Sequence, residues 1–219
     1  MRLIDLSHTV APGMPLFSPG APSPRVTAWM SHAQAAQSGR YEGCTCEITE
    51  VQMLTSIGTY LDSPYHFFPG RPSIEALALE QVVLPGVVVD CAGVGAREPI
   101  GPGALDDVDV AGKAVLFHTG WNRFWGEPAY HEYPYLTGET AAALRDWGAK
   151  LAGVDFLVID DMRNPRRPVH VTLLGSGILI VENLTNLGAL PPAGFTFHAA
   201  PVKVAGAAAF PVRAYAVVM

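Results

Sequence analysis

The sequence predicts an α/β domain that is rich in strands and has few helices. Apolar residues come in short runs, as in Gly86–Asp90 and Gly177–Val181, and such runs are typical of strands buried on both faces of a sheet. The 22 glycines and 19 prolines are scattered between these runs, where they favour turns that separate short strands. Helical spacing of apolar residues is confined to a few segments.

Strands are predicted along the whole chain, each as an apolar run bounded by turn residues. In chain order they cover Arg2–Ser7, Glu47–Leu54, Gly86–Cys91, Ala114–His118, Phe156–Ile159, Ile178–Val181, Phe195–Val204 and Ala214–Val218.

The clearest helix is predicted over Ala141–Lys150, a segment of good helix formers. Thr137 is a favoured N-cap residue, and Glu139 lies in the first turn, where a negative charge interacts well with the helix dipole. The apolar residues that recur at helical spacing, and should form a buried stripe, are Leu144, Trp147 and Leu151. Shorter helices are predicted over Ser73–Val82 and His170–Gly175.

Length and composition favour a single domain over residues 1–219. Of these residues, 49% are hydrophobic and only 16% are charged. A chain of this length suits one domain with ample core material. Because charge is sparse, part of the surface should be neutral or covered by a second copy, so we expect a homo-oligomer.

Charge and cysteine content argue against several classes of protein. The net charge of −6 argues against a nucleic-acid partner. One short basic cluster is present, formed by Arg163, Arg166 and Arg167. It should be a solvated loop, or it could steer an anionic substrate toward the protein. No apolar run reaches the roughly 18 residues of a membrane helix, and Asp5 interrupts the N-terminal apolar residues, so no signal peptide is expected. Three cysteines fit a reducing cytoplasm.

The segment from residue 51 to residue 70 holds the best candidates for chemistry. Gly58 allows a tight backbone turn, and Pro64 biases Ser63 toward an extended conformation. Asp62 and His66 therefore lie on a rigid piece of chain, from which a carboxylate and an imidazole can bind a metal or transfer a proton. The alternative is structural: Asp62 caps a turn, and His66 packs against the two phenylalanines that follow it.

This segment resembles the hallmark of the kynurenine formamidase/cyclase family, which runs His-x-Gly-Thr-His-x-Asp-Ala/Ser-Pro-x-His. The matching positions are Gly58, Thr59, Asp62, Ser63, Pro64 and His66. Other blocks that are similar to the family, in the same order, are Ile4–His8, His118–Trp121, His170–Leu174, Ile180–Leu184 and Ala200–Lys203. On these blocks the chain is identified as a member of that family.

The resemblance implies a fold of the swivelling β/β/α type, usually in homodimers or homotetramers. It also implies one or two divalent metals, most often zinc or manganese. By position, it implies Asp62, His170 and Glu182 as metal ligands and His66 as the acid/base. The implied substrate is a small amide, lactam or ester, with N-formylkynurenine as the reference compound of the family.

Two positions depart from the hallmark. Ser56 and Tyr60 stand where the family has its first two histidines. A hydroxyl and a neutral phenol are poor substitutes for imidazole as ligands of first-row metals. The metal position built on those histidines should therefore be weak or absent, which leaves a single ion, or none, at Asp62, His170 and Glu182.

The resemblance also suggests roles for neighbouring side chains. Thr59 or Tyr60 could donate a hydrogen bond to a developing oxyanion. Trp121 and Phe67 are the aromatic residues that could stack on an aryl substrate, with core packing as the equal alternative for Trp121.

We expect a metal-dependent hydrolase that acts on a carbon–nitrogen bond other than a peptide bond. One alternative is a cyclase, isomerase or dehydratase that uses His66 and Tyr60 as an acid/base pair without a metal. Another is a non-catalytic descendant that only binds a small molecule. Ser56 and Tyr60 favour the alternatives, whereas the retention of Asp62, His170 and Glu182 favours hydrolysis.

Overall fold

The computed structural model describes all 219 residues, with thirteen strands and three α-helices. The strands are β1 (Arg2–Asp5), β2 (Arg25–Met30), β3 (Ile48–Gln52), β4 (Tyr60–Asp62), β5 (Val83–Asp90), β6 (Pro99–Ile100), β7 (Ala114–His118), β8 (Tyr135–Leu136), β9 (Leu151–Val154), β10 (Leu179–Glu182), β11 (Ala193–His198), β12 (Ala209–Pro211) and β13 (Tyr215–Val218). The helices are α1 (His32–Gln37), α2 (Gly138–Asp146) and α3 (Pro168–Gly175). The chain is a strand-rich α/β protein with few helices, as predicted, and none of its helices has the length and apolar character to cross a bilayer.

Nine strands form one mixed sheet in the order β1-β13-β11-β5-β7-β9-β10-β4-β12. Its centre is parallel, because β5, β7, β9 and β10 pair parallel to one another. The strands on either side of this centre pair antiparallel. The parallel strands include the continuous apolar runs of the sequence, as expected for strands that are covered on both faces.

Side chains alternate between two cores along the central strands. In β7, Val115 and Phe117 belong to the core beneath α2 and α3, whereas Ala114 and Leu116 belong to the core on the opposite face. The period of two in an extended chain produces this division. The face on which a residue of β4 or β10 lies can be determined in the same way, and this decides which side chains reach the functional site.

The sheet curls around the second core. Ser7, just beyond β1, forms a bridge with Leu184, just beyond β10, although β1 and β10 are far apart in the strand order. Gly153 in β9 permits this close packing, since a Cβ there would lie 2.7 Å from side-chain atoms of both Leu116 and Leu184. A side chain at that position would force the curled sheet apart.

The N-cap prediction for α2 is confirmed, because the Thr137 hydroxyl accepts a hydrogen bond from the Thr140 amide. The predicted buried stripe is only partly correct. Leu144 is fully buried, but Trp147 is 47% exposed, and Leu151 belongs to β9 rather than to the helix. The helix ends at Asp146, so helical spacing cannot place Trp147 and Leu151 on its buried face.

Two predicted elements are wrong. Phe156–Ile159 is buried but is not a strand; the strand is β9, which ends two residues earlier. An apolar run reports burial and does not by itself establish pairing in a sheet. Ser73–Val82 forms two short 3₁₀ turns in place of a helix, because Leu77 and Ala78 between them have extended backbones.

The predicted strand Phe195–Val204 is too long, since β11 ends at His198. Pro201, which has no N–H to donate, lies just beyond it. The predicted strand Glu47–Leu54 is confirmed as β3, but the sequence did not indicate β2, with which β3 pairs in a separate, largely exposed sheet.

Candidate metal centre

The hallmark segment contributes β4, and the alternation of its side chains builds one wall of the site. Leu61 points into the core inside the curled sheet, so Tyr60 and Asp62 point to the opposite face. β4 pairs antiparallel with β10, which sets Tyr60 directly opposite Glu182. Gly58 precedes the strand with a φ of 64°, so the turn uses a backbone conformation that glycine adopts at little cost.

Tyr60 and Glu182 form a buried hydrogen bond in which the Tyr60 hydroxyl donates to Oε2 of the carboxylate. The other oxygen, Oε1, accepts from the Ile159 amide at 2.7 Å. Burial raises the pKa of the Tyr60 phenol well above its usual value, and the Glu182 charge adds to this effect. The phenol is therefore a neutral donor, and the Glu182 carboxylate is held in one orientation by two donors.

His170 is oriented by a residue that the sequence did not single out, Asp160. Its carboxylate accepts hydrogen bonds from the amides of Val169 and His170, each at 2.9 Å, and contacts Nδ1 of the His170 ring at 2.7 Å. With Nδ1 donating to a carboxylate, Nε2 presents its lone pair. Nε2 lies 3.9 Å from Oδ2 of Asp62 and 3.6 Å from Oε1 of Glu182.

Asp62 is fully buried, and neither of its carboxylate oxygens has a hydrogen-bond partner. Burial raises the pKa of this carboxyl group well above its usual value, and the nearby Glu182 charge raises it further. A buried carboxylate without donors is costly unless a cation lies beside it. Two imidazoles are within reach, since Nε2 of His66 is 3.8 Å from Oδ1 and Nε2 of His170 is 3.9 Å from Oδ2.

The side chains of Asp62, His66 and His170 have the spacing of a metal-binding group, with ligand atoms all within 4.8 Å of one another. Glu182 is not part of this group of three, although its Oε1 is 3.6 Å from Nε2 of His170. Two imidazole nitrogens and carboxylate oxygens are ligands that first-row divalent metals accept. The residues present therefore fit a divalent cation.

His66 ends a short 3₁₀ turn that begins at Pro64. Its side chain is 30% exposed. Phe67 packs edge-on against His66 and stacks on His170, with ring centroids 5.1 Å and 4.7 Å apart. Burial, with a smaller effect from His170, lowers the pKa of His66 to about 4. The ring is therefore neutral near pH 7 and can accept a proton or bind a cation.

A cavity of about 170 Å³ opens beside these side chains. Its wall is formed by Phe17, Ser56, Tyr60, His66, Phe67, Val158, Met162, Arg167, His170 and Glu182. The wall thus combines an apolar part with the polar groups of the site, which is typical of a pocket for a small molecule.

Two residues with predicted roles lie away from this cavity. The Thr59 hydroxyl donates to the Asn183 carbonyl at 2.5 Å and accepts from the His8 amide at 3.0 Å, so it supports the turn and is not free to hold an oxyanion. Trp121 is 5% exposed, packs in the core beneath the helices and donates to the Tyr130 carbonyl. Core packing, the alternative considered for Trp121, agrees with this position.

Asn183 is a further residue that the sequence did not indicate. Its amide nitrogen donates to the Gly58 carbonyl at 2.8 Å, and its amide oxygen accepts from the Tyr130 hydroxyl at 2.8 Å. The position directly after Glu182 is its only signal in the sequence. Asn183 fixes the hallmark turn to the end of β10, and so fixes the two halves of the site relative to each other.

Comparison with known proteins places the chain among hydrolases. Residues 4–161 match the model of the family described as "Putative cyclase". A kynurenine formamidase from Salinibacter ruber is 30% identical over 220 residues, covering 98% of this chain and 96% of that protein. Isatin hydrolase A from Ralstonia solanacearum has a solved structure with a TM-score of 0.86 at 26% identity, covering 100% of this chain and 92% of that chain.

A second solved structure is described as a "predicted metal-dependent hydrolase" from Bacillus stearothermophilus. It has a TM-score of 0.77 at 26% identity and covers 98% of this chain and 97% of that chain. Similarity over the whole length of the chain confirms the fold that the resemblance implied.

Proposed function

The chain belongs to the cyclase family that includes the kynurenine formamidases, and from this membership we propose that it is a metal-dependent hydrolase of a small amide, lactam or ester, similar to an arylformamidase. It is a hydrolase that acts on a carbon–nitrogen bond other than a peptide bond. The observation that carries the proposal is the buried Asp62 carboxylate, which has no hydrogen-bond partner and lies 3.9 Å from Nε2 of His170. A divalent cation at this point would compensate the buried charge.

We assign the metal to Asp62, His170 and Glu182. Asp160 orients the His170 ring, and the Tyr60 hydroxyl and the Ile159 amide orient Glu182. Hydrogen bonds of this kind to ligand side chains are typical of protein metal sites. The proposed ion is zinc or manganese, as the family resemblance implies, and both accept imidazole nitrogen and carboxylate oxygen.

A single ion is proposed because Ser56 and Tyr60 supply no imidazole for a second one. The Tyr60 phenol is neutral and already donates to Glu182. Its role in this proposal is therefore to orient Glu182, which replaces the oxyanion-binding role considered from the sequence. Thr59 has no catalytic role in the proposal, since its hydroxyl is used in the turn.

His66 is the proposed acid/base. When bound, a divalent ion would supply Lewis-acid chemistry, polarising the scissile carbonyl and acidifying water. The His66 imidazole is neutral near pH 7, lines the cavity and lies beside Asp62. It takes the proton from the attacking water and gives a proton to the leaving nitrogen.

The substrate is a small molecule whose apolar part contacts Phe67 and the other apolar side chains of the cavity wall. An aryl amide or a lactam fits this combination, and it corresponds to the substrates named for the kynurenine formamidase and isatin hydrolase relatives. We further propose that the chain works in the cytoplasm as a homodimer or homotetramer.

A metal-independent cyclase, isomerase or dehydratase would need Tyr60 and His66 as a proton-transfer pair. The Tyr60 hydroxyl donates to Glu182, and burial raises its pKa well above the usual value, so the phenol is a poor acid in this position. A non-catalytic binding protein would gain nothing from the unpartnered Asp62 carboxylate. Neither alternative is better supported than hydrolysis.

The test combines metal analysis with a substrate panel of formylated anilines, lactams and aryl esters. Protein supplemented with zinc or manganese should bind about one ion per chain. Glu182→Gln should lose the metal, and His66→Ala should keep it but lose turnover, whereas the exposed Glu80→Gln variant should behave as wild type. No bound metal, or no effect of either site variant, would contradict the proposal. Loss of metal in His66→Ala alone would move the site to Asp62, His66 and His170.

A further inference from the structure

We propose that Arg167 is a binding residue for a carboxylate group carried by the ligand of this site, and that it makes the enzyme selective for anionic substrates. The inference rests on the proposed hydrolase function and adds to it the charge of the substrate. Arg167 lines the same cavity as His170 and Glu182. It is the only arginine or lysine among the residues of that wall.

The guanidinium of Arg167 is not neutralised within the protein. Arg163, four residues earlier, pairs with Asp161 at 2.8 Å. By contrast, Arg167 has no carboxylate oxygen within 4.0 Å, and its one hydrogen bond is a long contact of 3.5 Å from Nη1 to the Asp161 carbonyl. A guanidinium has five N–H donors in a planar fork that matches a carboxylate. Most of the donors of Arg167 are therefore available to a ligand.

The backbone holds Arg167 at a defined place in the wall. It has a φ of 45° and a ψ of 56°, directly before the first residue of α3. Residues other than glycine and asparagine rarely adopt this left-handed conformation, so local preference does not explain an arginine here. Pro168 follows at once, and His170 lies on the first turn of the same helix. The backbones of Arg167 and His170 thus belong to one rigid piece of chain.

In the metal-free protein, the charges around the cavity favour such a cation if the ligand is an anion. The Glu182 carboxylate forms part of the wall, and the Asp62 carboxylate lies behind it beside His170. Both would repel a ligand carboxylate in a site of low dielectric. A guanidinium on the wall offsets that repulsion and fixes the orientation of the ligand through paired hydrogen bonds.

The carboxylate can belong to the substrate from the start, or it can be formed when an amide or lactam is hydrolysed. Both cases present the same group to Arg167. The apolar residues of the wall, Phe17, Phe67, Val158 and Met162, would contact the remainder of the ligand. The ligand class is therefore a small aromatic or aliphatic carboxylate whose apolar body lies beside the scissile bond.

Binding is measured first, so that the result does not depend on turnover. Calorimetry with benzoate and with neutral benzamide is carried out on metal-free and on metal-loaded protein. Wild type should bind benzoate at least about 10-fold more tightly than benzamide in both forms, because a bond between charged groups is stronger than one between neutral groups. Arg167→Met should remove this preference, Arg167→Lys should keep part of it, and the exposed neighbour variant Arg166→Gln should behave as wild type.

Kinetics then separate the two sources of the carboxylate. With N-formylanthranilate, which carries a carboxylate, Arg167→Met should raise KM by about 10- to 100-fold and change kcat little. With formanilide, which lacks one, KM should stay as in wild type. If Arg167 binds only the carboxylate that hydrolysis creates, which is formate for both substrates, both KM values stay unchanged, inhibition by formate weakens in the variant, and selectivity for anionic substrates is excluded.

Several results would overturn the proposal. Failure of wild type to distinguish benzoate from benzamide, or to bind either, would exclude a carboxylate site at Arg167. Benzoate affinity that survives in metal-loaded Arg167→Met would assign the anion to the metal. An equal loss of kcat on both substrates would indicate a structural role only. Failure to hydrolyse any substrate would contradict the proposed function, while the benzoate comparison would still decide the role of Arg167.

Discussion

Replacing Asp62 by asparagine should increase the stability of the metal-free protein and abolish its response to metal. The Asp62 side chain is fully buried, neither oxygen has a partner, and burial raises its pKa well above the usual value. At neutral pH the folded protein must either bury a charge or keep a proton that the unfolded chain has lost. An amide of the same size avoids this cost.

The asparagine amide would also be an unsatisfied buried group, so the gain is the extra cost of a charged group over a neutral one, which is about 1–2 kcal/mol since hydrogen bonds to charged groups are worth about 1.5–3 kcal/mol and neutral ones about 0.5–1.5 kcal/mol. Metal-free Asp62→Asn should therefore be more stable at pH 7 by about 1–2 kcal/mol. For a chain of this size, one kcal/mol corresponds to about 2–4 °C in Tm. A metal at 100 times its Kd adds about 2.7 kcal/mol, or about 5–11 °C, to wild type and nothing to the variant.

The dependence on pH has a definite sign. Because the pKa of Asp62 is higher in the folded state than in the unfolded chain, the folded state binds more protons between the two pKa values. The stability of metal-free wild type should therefore fall as pH rises through that window, and full stability is present only below the unfolded pKa. The Asp62→Asn variant should lack this particular loss.

The assay is thermal unfolding of wild type, Asp62→Asn and a control variant, Asp106→Asn, whose side chain is exposed. Each is measured from pH 4 to pH 8, without metal and with zinc or manganese. The control should follow wild type throughout. The reasoning is refuted if metal-free Asp62→Asn unfolds at a lower temperature than wild type and metal raises its Tm as much as that of wild type.

The remaining predictions concern the departures from the hallmark and a half-buried histidine. Restoring both imidazoles with Ser56→His and Tyr60→His should raise the metal content per chain above that of wild type in elemental analysis; an unchanged content would mean that these two positions do not limit metal binding. His8 stacks on Trp125 with ring centroids 3.8 Å apart, and burial lowers its pKa to about 4 from 6.5. Since the unfolded chain then binds the proton first, stability should rise with pH between about 4 and 6.5, and His8→Gln should flatten that part of a Tm-against-pH curve. An identical slope in the variant would show that another group titrates there.

Much of the fold could be predicted because the relevant signals are local. The runs that form β7 and β10 are visible as apolar stretches, and the helix that begins after Thr137 has both a capping residue and helix formers. The wrong strand prediction has a physical cause. The run Phe156–Ile159 is buried as its composition requires, but whether a buried segment is a strand depends on a partner with free backbone groups.

The residues of the site likewise divide into those that the sequence indicates and those that only the structure shows. The hallmark indicates Asp62 and His66, a later block that resembles the family indicates His170, and the structure brings the three side chains together. Asp160 was not identified, because its three contacts with the start of α3 depend on how the connection after β9 folds back. One of two adjacent aspartates in a loop carries no sign of such a role.

The sequence by itself determined the family and the strand-rich fold class, and it indicated Asp62, His170 and Glu182 as candidate metal ligands. It also determined the loss of two imidazoles at Ser56 and Tyr60. Only the tertiary structure decided what Tyr60 does in place of an imidazole, which is to donate a hydrogen bond to Glu182. Tyr60 and Glu182 are 122 positions apart, and they meet because β4 pairs with β10 in antiparallel register. Local patterns fix which face a side chain occupies, but the pairing of strands distant in sequence fixes which side chain lies opposite.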